Sequence, residues 1–487
     1  MQKILSASEI ANLDQIHLIR KGFANHAFME LVAQRFVDWF QTQGYSFETK
    51  ILVCVGAGNN GGDGLAIARI LFTLGYPIEV ATCFYPGATL SPDCQQNLSL
   101  LPSQIHCRTL ENAILPNEGI LIDAYLGIGC SGPLREEAKQ RIQTMNSFAG
   151  TIIALDLPSG LPADSILFGG AVKADLTVTL GFPKLSLLLP EHAEFIGELV
   201  VLDIGFVAEE FHDFSGQTYF LEERDVLPLH RKFHRFAHKG DLGKVLLVVG
   251  SKGKMGAAVL SAKAAFRTGS GLVTCLIPEE ERGSLSTVPE AMCVFDENQD
   301  FSGYNAIGIG PGLGLEQGET LKRILSTIQK PVVLDADALN CLAQDPSIWK
   351  LIPKGSILTP HLKEFDRLFG HSQDQLERMA KAKACCLKYA LNLVLKGANT
   401  LCSLSDGRQV FNSSGSKYMA TAGMGDVLTG MLTSFLGQGY SPENAVLCGV
   451  FHHGLAGELA GKKYLRGLMA LDLIEAIPQT YLRIGLD

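Results

Sequence analysis

Short apolar runs alternate along the chain with segments in which apolar residues recur at helical spacing. Buried strands are predicted at residues 51–55 (ILVCV) and 244–249 (KVLLVV). A helix is predicted over residues 6–21, behind a capping-box pattern formed by Ser6 and Glu9. Strands that alternate with helices are typical of a mostly parallel sheet covered by helices. The predicted fold class is therefore α/β.

The length of 487 residues exceeds what one hydrophobic core usually holds, so two domains of roughly 200 to 260 residues are expected. Residues 206–218 (FVAEEFHDFSGQT) interrupt the apolar rhythm with acidic and small residues, which is typical of a domain boundary. We therefore expect one domain over residues 1–215 and a second over residues 216–487. A doubly wound sheet is predicted in the first domain and a second α/β layer structure in the other.

The composition limits the classes of partner. The chain is 47% hydrophobic and 19% charged, which is typical of a well-buried globular protein. Its net charge of -9 argues against nucleic acid as a partner, because nucleic-acid phosphates need a basic face. The 12 cysteines are scattered without C-x-x-C spacing, which favours a reducing compartment. The chain shows no signal-peptide core and no apolar run of about 18 residues, so a cytoplasmic protein without a membrane partner is expected.

A glycine-rich loop, GAGNNGGDG, follows the first strand at residues 56–64. A helix is predicted after it, over residues 65–74, and such a strand, loop and helix are typical of a nucleotide or phosphate site. The loop satisfies G-x-G-x-x-G, which leaves a dinucleotide-dependent dehydrogenase open. The acidic residue that holds the ribose in such enzymes is missing near residues 83–85. The asparagines and the aspartate of the loop instead favour a site that binds polar groups or a cation.

Polar side chains also follow later strands of the first half. Asp123, Asp156 and Ser159 each end or closely follow an apolar strand. Because the carboxyl ends of parallel strands meet at one edge of a sheet, these side chains are expected to lie near Asn59 and Asp63 of the loop. The alternative for each one alone is a turn-forming residue. Several such residues in one domain favour a binding site.

Three ordered motifs, GAGNNGGDG, GIGCSGP and ALDLPSGL, resemble the epimerase domain that interconverts the two hydrated forms of NADH and NADPH. The resemblance spans roughly residues 1–210 and implies a Rossmann-like fold, with a potassium ion held by Asn59, Asp123 and Ser159. It implies that Asp156 is catalytic at the reacting ring, where moving a proton or opening the ring needs one positioned carboxylate. The early helix FMELVAQ is less similar to the family. The implied contacts with the hydrated dinucleotide are Asn59, Asn60, Gly61, Gly62, Asp63, Gly127, Ile128, Gly129, Cys130, Ser131, Gly132, Pro133 and Asp156.

The second half contains the stretch SSGSKYMATAGMGDVLTG, residues 413–430. Its GMG segment, residues 423–425, is predicted to form a turn whose amides can bind an anionic phosphate. Asp426 follows, where its carboxylate can take a proton from an attacking hydroxyl, and an apolar helix is predicted from Val427 onward. The alternative is an ordinary glycine turn with Asp426 as the N-cap of that helix.

Three other segments of this half have more than one interpretation. The loop GSKGKMG, residues 250–256, lacks the spacing of a P-loop, and a helix is predicted from Val259. The basic cluster HRKFHRFAHK, residues 230–239, is either a solvated loop or a rim that attracts anions. His361 follows a predicted strand and the dipeptide Thr-Pro, so it is either a core histidine or a ligand.

The ordered motifs HKGDLGKV, GSKGKMGAA, GPGLG, LDADALN, TPH, KGANT and AGMGDVLTG are similar to those of the ADP-dependent dehydratase that acts on hydrated NADH and NADPH. The similarity covers about residues 225–487 and implies a ribokinase-like α/β fold. The pair Leu362-Lys363 stands where many members of that family have Pro-Gly. The implied contacts with the hydrated nicotinamide are Ala258, Gly314, His361 and Asp426. The implied contacts with ADP or AMP are Lys396, Gly397, Ala398, Asn399, Thr400 and Gly425.

The resemblance implies a reaction that agrees with these residue types. Phosphorylation of the ring hydroxyl by ADP creates a good leaving group, Asp426 accepts the hydroxyl proton, and elimination returns NADH or NADPH with AMP and phosphate. Mg2+ is expected to serve the phosphoryl transfer and K+ the epimerase. We expect the small-molecule partners to be ADP and the hydrated forms of NADH and NADPH (NADHX and NADPHX). We also expect the protein to form a homo-oligomer. The alternatives are a ribokinase-type kinase for a vitamin or sugar, and a non-catalytic nucleotide sensor.

Overall fold

The structure is a computed structural model that describes residues 1–113, 118–130 and 132–486. Two compact units emerge from the contacts between Cα atoms: a first unit of residues 2–216 and a second unit that begins at Gln217. Each unit has its own sheet, and helices separate most of the strands in the sequence. The predicted α/β fold class is therefore confirmed in both halves. No helix among the described residues is long and apolar enough to cross a membrane.

The first unit is built on a sheet of seven parallel strands in the order β4-β3-β2-β5-β6-β7-β8. After a two-residue strand β1 at Gln2–Lys3, these are β2 Ile51–Val55, β3 Ile78–Thr82, β4 His106–Thr109, β5 Ile120–Ala124, β6 Thr151–Leu155, β7 Leu176–Leu180 and β8 Glu198–Leu202. The helices are α1 Ala7–Lys21, α2 Asn25–Thr42, α3 Asn59–Thr73, α4 Pro92–Ser99, α5 Glu136–Asn146 and α6 Ala193–Ile196.

Both faces of this sheet are covered, as expected for a doubly wound fold. Val53 packs in a core that contains Phe36 of α2, whereas Leu52 packs in a second core that contains Ile142 of α5. Successive residues of a strand point to opposite faces, so the continuous apolar run of β2 serves both cores. The order of the strands reverses direction between β2 and β5, and ligand sites of open α/β sheets form at such a switch point.

Two N-terminal features of the first unit test the predictions from the sequence. The capping box is confirmed, because the Ser6 hydroxyl accepts from the Glu9 N–H while the Glu9 carboxylate accepts from the Ser6 N–H. The predicted start of the helix after the glycine-rich loop is wrong, because α3 begins at Asn59 and includes residues 59–64 of that loop. Gly61 allows this close packing, since a Cβ there would lie 1.8 Å from the carbonyl oxygen of Gly56.

The second unit contains a larger mixed sheet in which the order is β9-β18-β17-β16-β15-β14-β13-β10-β11-β12. Its strands are β9 Thr218–Leu221, β10 Lys244–Val248, β11 Leu272–Leu276, β12 Met292–Val294, β13 Ala306–Ile309, β14 Val332–Leu334, β15 Ile357–Leu358, β16 Asn392–Leu395, β17 Leu401–Ser403 and β18 Gln409–Asn412. The strands from β10 to β16 pair in parallel, and β17 runs antiparallel to both of its neighbours. The parallel part again collects strand ends, and the loops that follow them, at one edge.

The helices of the second unit are α7 Glu223–Val226, α8 Met255–Arg267, α9 Gly318–Thr327, α10 Asp337–Gln344, α11 Leu362–Phe369, α12 Gln375–Tyr389, α13 Met424–Gly437, α14 Pro442–Tyr464 and α15 Ala470–Arg483. Helix α13 is buried along almost its whole length, with Leu428 in one apolar core and Val427 in another. It begins at Met424, earlier than predicted, and its N-cap is Gly423 in the left-handed conformation with φ 88°. The alternative in which Asp426 caps this helix is therefore wrong.

Candidate functional sites

A cavity of about 580 Å³ opens in the first unit beside the ends of β2, β5 and β6. Helices α1 and α2 form part of its wall, and aromatic side chains such as Phe28 and Phe206 supply apolar surface. A concave, largely apolar pocket with a few polar groups is the usual form of a small-molecule site. Of the residues predicted from the sequence, those that line it are Asn59, Asn60, Asp63, Gly127, Ile128, Gly129, Cys130 and Asp156.

The other predicted dinucleotide contacts lie elsewhere. Gly61 and Gly62 are buried in the first turns of α3, where they let the helix approach the neighbouring backbone and the Met29 side chain. Gly132 and Pro133 are exposed and outside the cavity lining, and Ser131 lies outside the described residues. The cavity therefore includes Asn59, Asn60 and Asp63 of the first predicted loop and residues 127–130 of the second, whereas Gly132 and Pro133 at the end of the second loop lie outside it.

Asp156 follows β6 in a left-handed backbone conformation with φ 66°, which is uncommon for a residue other than glycine. Its Oδ1 accepts hydrogen bonds from the Leu180 N–H at 3.1 Å and the Thr179 hydroxyl at 3.2 Å. The same oxygen forms an ion pair with Lys184, whose side chain is almost completely buried. Strained residues persist where their surroundings fix them, and they cluster at functional sites. Asp156 is therefore a rigidly held carboxylate in the cavity wall.

Lys184 was missed by the reasoning from the sequence. Its Nζ also donates to the Leu180 carbonyl at 2.9 Å and to the Thr179 hydroxyl at 3.2 Å. The Lys184 side chain therefore folds back onto the end of β7, which lies four residues earlier in the sequence. The rule that polar residues after strands converge would have included it, because Lys184 follows β7 in the motif GFPK.

Other carboxyl groups share the cavity with the Asp156–Lys184 pair. Burial raises the pKa of Asp14 on α1 to about 6, an effect that Lys184 opposes and Asp156 strengthens. Burial also raises the pKa of Asp63 well above its ordinary value, and the nearby carboxylates of Asp156, Asp14 and Asp93 add to the shift. Asp14 was missed because it lies on a helix, where no strand-end rule applies.

The predicted cation ligands are brought together in part. The Ser159 hydroxyl donates to Asp123 Oδ1 at 2.6 Å and the Ser159 N–H donates to Oδ2 at 2.8 Å. Asp123 has no exposed surface, and burial raises its pKa to about 6 although these hydrogen bonds oppose the shift. Asn59 is exposed at the first turn of α3 and lines the cavity without bonding to this pair.

These oxygen donors suit a monovalent cation. Asp123 forms no ion pair with any residue that the structure describes, and a buried carboxylate is normally paired or bound to a metal. The amide, carboxylate and hydroxyl oxygens of Asn59, Asp123 and Ser159 are hard ligands with a single negative charge. The residues present therefore fit K+ better than a divalent ion, which usually recruits more carboxylates.

The second unit carries a separate group of polar residues at the N-terminal end of α13. Asp426 lies in the first turn of this helix, two residues after Met424. Burial raises the pKa of Asp426 to about 6, and Asp335 and Asp337 raise it further while Lys396 lowers it. A carboxyl with a pKa near neutrality is well suited to accept a proton. The predicted base thus lies among charged neighbours from two other segments, residues 335–337 and Lys396.

Lys396 lies after β16, and its Nζ forms an ion pair of 2.8 Å with Asp335 Oδ1. Asp335 follows β14 and is buried, and its Oδ2 accepts a hydrogen bond of 2.8 Å from the Thr429 hydroxyl of α13. A Cβ on Gly425 would lie 3.4 Å from the Lys396 Nζ. The predicted nucleotide residues Lys396 and Gly425 are therefore neighbours. The remaining predicted nucleotide residues, Gly397, Ala398, Asn399 and Thr400, form the turn between β16 and β17.

His361 is the N-cap of α11, and its Nδ1 accepts from the backbone N–H groups of Lys363 and Glu364 at 3.1 and 3.3 Å. Because Nδ1 is an acceptor, the neutral ring carries its proton on Nε2. The backbone of His361 forms a parallel bridge with Lys396, which places it beside the Lys396–Asp335 pair. The unusual Leu362-Lys363 pair thus begins a helix and leaves the position of His361 intact.

Gly314 and Ala258, the last two predicted contacts with the hydrated nicotinamide, differ in how accessible they are to a ligand. The N–H of Gly314 donates to Asp337 Oδ2 at 2.8 Å, and Asp337 is also one of the carboxylates that act on Asp426. Ala258 lies in α8 with no exposed surface, so its side chain offers nothing to a ligand in this conformation.

One further residue at this site was missed. His453 of α14 donates from Nε2 to the carbonyl oxygen of Met424 at 2.9 Å, and burial lowers its pKa to about 4. It therefore helps to hold the first turn of α13 in place. Within the part of the chain that the structure describes, no group of three or more His, Cys, Asp or Glu side chains could hold a metal ion. Mg2+ normally binds through one or two carboxylates together with substrate phosphates, which fits this arrangement.

Comparison with known protein families gives two matches that together cover most of the chain. A family described as NAD(P)H-hydrate dehydratase matches residues 245–479. A family described as YjeF-related protein N-terminus matches residues 25–186. The bifunctional NAD(P)H-hydrate repair enzyme Nnr of Moorella thermoacetica is 32% identical over 512 aligned residues, which cover 98% of this chain and 96% of that protein.

Two solved structures resemble part of the chain. The first is an ADP/ATP-dependent NAD(P)H-hydrate dehydratase from Bacillus subtilis, co-crystallised with ATP and Mg2+. It is 31% identical to this chain with a TM-score of 0.50, and the match covers 55% of this chain and 99% of the Bacillus chain. The second is a ribokinase-like superfamily protein from Enterococcus faecalis, 26% identical with a TM-score of 0.51, covering 56% of this chain and 99% of its own. The ribokinase-like fold predicted for the second half is confirmed.

Proposed function

The chain belongs to the family of bifunctional NAD(P)H-hydrate repair enzymes, and from this premise we propose how its two sites divide the work. Residues 1–215 epimerise the R and S forms of hydrated NADH and NADPH, and residues 216–487 dehydrate the S form with ADP. The observation that carries this division is that Asp156 and Asp426 each lie in a polar site of a different compact unit.

In the first unit the cavity binds the hydrated dinucleotide, and Asp156 faces the reacting ring. The proposed contacts are the lining residues Asn59, Asn60, Asp63, Gly127, Ile128, Gly129, Cys130 and Asp156. Asn59, Asp123 and Ser159 would hold K+, whose charge would compensate the buried carboxylate and order the loop beside the substrate phosphates. Lys184 keeps the Asp156 carboxylate in place by direct contact.

In the second unit Asp426 accepts the proton of the ring hydroxyl while that oxygen attacks the terminal phosphate of ADP. Its raised pKa supports this role, since a base near neutrality transfers protons efficiently. Lys396 and the amides at residues 423–425 stabilise the transferring phosphoryl group, because free amides and an ammonium complement its negative charge. Mg2+ bound with the phosphates would neutralise further charge there.

Elimination of the new phosphate ester then releases the reduced cofactor. The hydroxyl oxygen leaves with the phosphoryl group as phosphate, AMP remains from ADP, and NADH or NADPH is regenerated. The nicotinamide would lie against His361, Gly314 and Asp426, and the turn of residues 397–400 would accompany Lys396 along the nucleotide. The shared neighbour Asp337 supports the placement of Gly314 beside Asp426.

We include a cytoplasmic location and a homo-oligomeric assembly in this proposal. All 12 cysteines are free thiols, which supports a reducing compartment. The location is tested by fractionation and the assembly by sedimentation of the pure protein.

The test of the proposed function uses the pure protein and a mixture of the R and S hydrates of NADH. With ADP and Mg2+, both epimers should disappear and the absorbance of NADH should recover completely, because epimerisation feeds the dehydratase. Without ADP, the separated epimers should interconvert with no gain of NADH. Loss of only one epimer in the presence of ADP would contradict the epimerase half, and no recovery at all would contradict the dehydratase half.

A further inference from the structure

Asp14 lies on α1 in the wall of the first-unit cavity, together with Asp156 and Lys184. It precedes residues 25–186, which match the N-terminal family. No sequence motif pointed to it. Its position nevertheless puts a carboxyl group where the proposed substrate binds.

The bonding of Asp14 differs from that of Asp156. Asp156 Oδ1 forms an ion pair with the Lys184 ammonium and accepts hydrogen bonds from Thr179 and Leu180. The charge of the Asp156 carboxylate is therefore balanced and its position is fixed. The Asp14 side chain forms no hydrogen bond and no ion pair with any residue that the structure describes. A carboxyl group with no fixed partner is free to bind and release a proton.

The surroundings of Asp14 bring its proton equilibrium close to neutral pH. Burial raises its pKa to about 6, with Lys184 acting against the shift and Asp156 with it. The other charged side chains that line the cavity are Asp63 and Asp93, and two tyrosines and two cysteines complete its titratable lining. General bases are most effective when their pKa lies near the working pH.

The hydrated ring offers a proton that needs to be moved. Water adds to a dihydropyridine at the ring carbon next to nitrogen, because protonation of the enamine makes that carbon electrophilic. The product carries a hydroxyl and the ring nitrogen on one carbon, and such a carbon loses its configuration when the ring opens to an aldehyde. Opening transfers the proton of the hydroxyl to the ring nitrogen.

We propose that Asp14 is the group that carries this proton during epimerisation. Its carboxylate takes the hydroxyl proton, the C=O bond of the aldehyde forms, and the C–N bond breaks with its electron pair going to the ring nitrogen. Asp14 then gives the proton to that nitrogen. Rotation of the aldehyde and reversal of these steps on its other face produce the second epimer and restore the carboxylate. The proposal rests on the proposed epimerase function, with Asp156 and Lys184 orienting the ring.

The test compares Asp14→Asn, Asp14→Glu and the parent protein in epimer exchange without ADP, at pH values on both sides of about 6. The parent rate should fall as the pH drops through about 6, because the base must be ionised. Asp14→Asn should exchange the epimers about 100-fold more slowly or worse, without that pH dependence. Asp14→Glu should keep a pH-dependent rate with a displaced midpoint. Asp38→Asn, the same change at an exposed position of α2, should match the parent.

ADP-dependent dehydration of the S epimer should be equal in all of these proteins, because the second unit carries it. Folding of the first unit is followed by the fluorescence of Trp39 of α2 in a Trp349→Phe background. The proposal is overturned if Asp14→Asn exchanges epimers within about threefold of the parent, or loses rate but keeps the midpoint near 6. If Asp14→Asn does not fold, Asp14→Glu decides, and an unmoved midpoint in it overturns the proposal. Absence of exchange in the parent protein would instead contradict the proposed epimerase function itself.

Discussion

The Lys396–Asp335 pair gives the most quantitative prediction for the second unit. Asp335 is 1% exposed, and it is satisfied by the Lys396 ammonium at 2.8 Å and the Thr429 hydroxyl at 2.8 Å. The Lys396 side chain retains 22% exposure, so its ammonium can also reach a ligand. Lys396→Met would remove the ammonium and leave Asp335 with one neutral donor.

The expected cost follows from this geometry. Removing one partner of a buried ion pair costs about 3–5 kcal/mol, because the remaining charge stays buried without compensation. Water can approach through the exposed part of Lys396, so we expect a loss of about 2–3 kcal/mol in the free energy of unfolding. Adding Asp335→Asn removes the orphaned charge, so the double variant should lose less than the sum of the two single changes.

Chemical denaturation of four proteins in a Trp39→Phe background measures this coupling. The chain has two tryptophans, and Trp349, which stacks on Tyr389, then reports unfolding of the second unit alone. Calorimetry of the Lys396→Met protein should also show ADP binding weaker by about 1–3 kcal/mol, because a charge-assisted phosphate contact is lost. Additive losses in the double variant would refute the structural reasoning, and unchanged ADP affinity would place the nucleotide elsewhere.

Three other predictions address the two activities. Asp426→Ala should lower ADP-dependent recovery of NADH by about 100-fold or more and leave epimer exchange intact, with the reverse for Asp156→Ala; loss of both activities in one folded variant would contradict two separate sites. Because burial raises the pKa of Asp426 to about 6 and the base acts in its ionised form, the dehydration rate should fall as the pH drops through about 6, and a flat profile would contradict that role. Replacing K+ with a bulky organic cation, or Asp123→Asn, should slow epimer exchange and spare dehydration; equal rates throughout would eliminate the potassium site.

The parts of the structure that depend on local pattern were predictable. The α/β class follows from apolar strands alternating with helices, and the capping box follows from the three-residue spacing of Ser6 and Glu9. The pairing of Ser159 with Asp123 follows from the rule that parallel strands place their carboxyl ends together. These features need only the order of residue types along the chain.

The starts of the glycine-rich helices were not predictable from local pattern. Glycine is a poor helix former, so the sequence favoured loops through residues 59–64 and 423–426. In the structure α3 and α13 begin inside those segments, because only glycine fits the contacts made there. Gly61 meets the backbone of Gly56, and Gly423 has a left-handed backbone conformation, with φ 88°, that favours glycine. Tertiary packing therefore overrides helix propensity at both sites.

The two sites share an arrangement of charged residues that links distant parts of the sequence. A lysine pairs with a carboxylate far away in the sequence in each unit, Lys184 with Asp156 and Lys396 with Asp335, and no local motif records such a pairing. Each unit also has a second carboxyl group whose pKa burial raises to about 6, Asp14 in the first and Asp426 in the second.

The presence of a lysine-paired carboxylate and a second carboxyl group at each site has a physical reason. A lysine in contact with a carboxylate balances its charge and fixes its position, which suits orientation of a substrate. A partly buried carboxyl without such a contact binds its proton more tightly and becomes an effective base near neutrality. Each unit of this protein thus combines a lysine-paired carboxylate with a carboxyl group that forms no ion pair among the described residues.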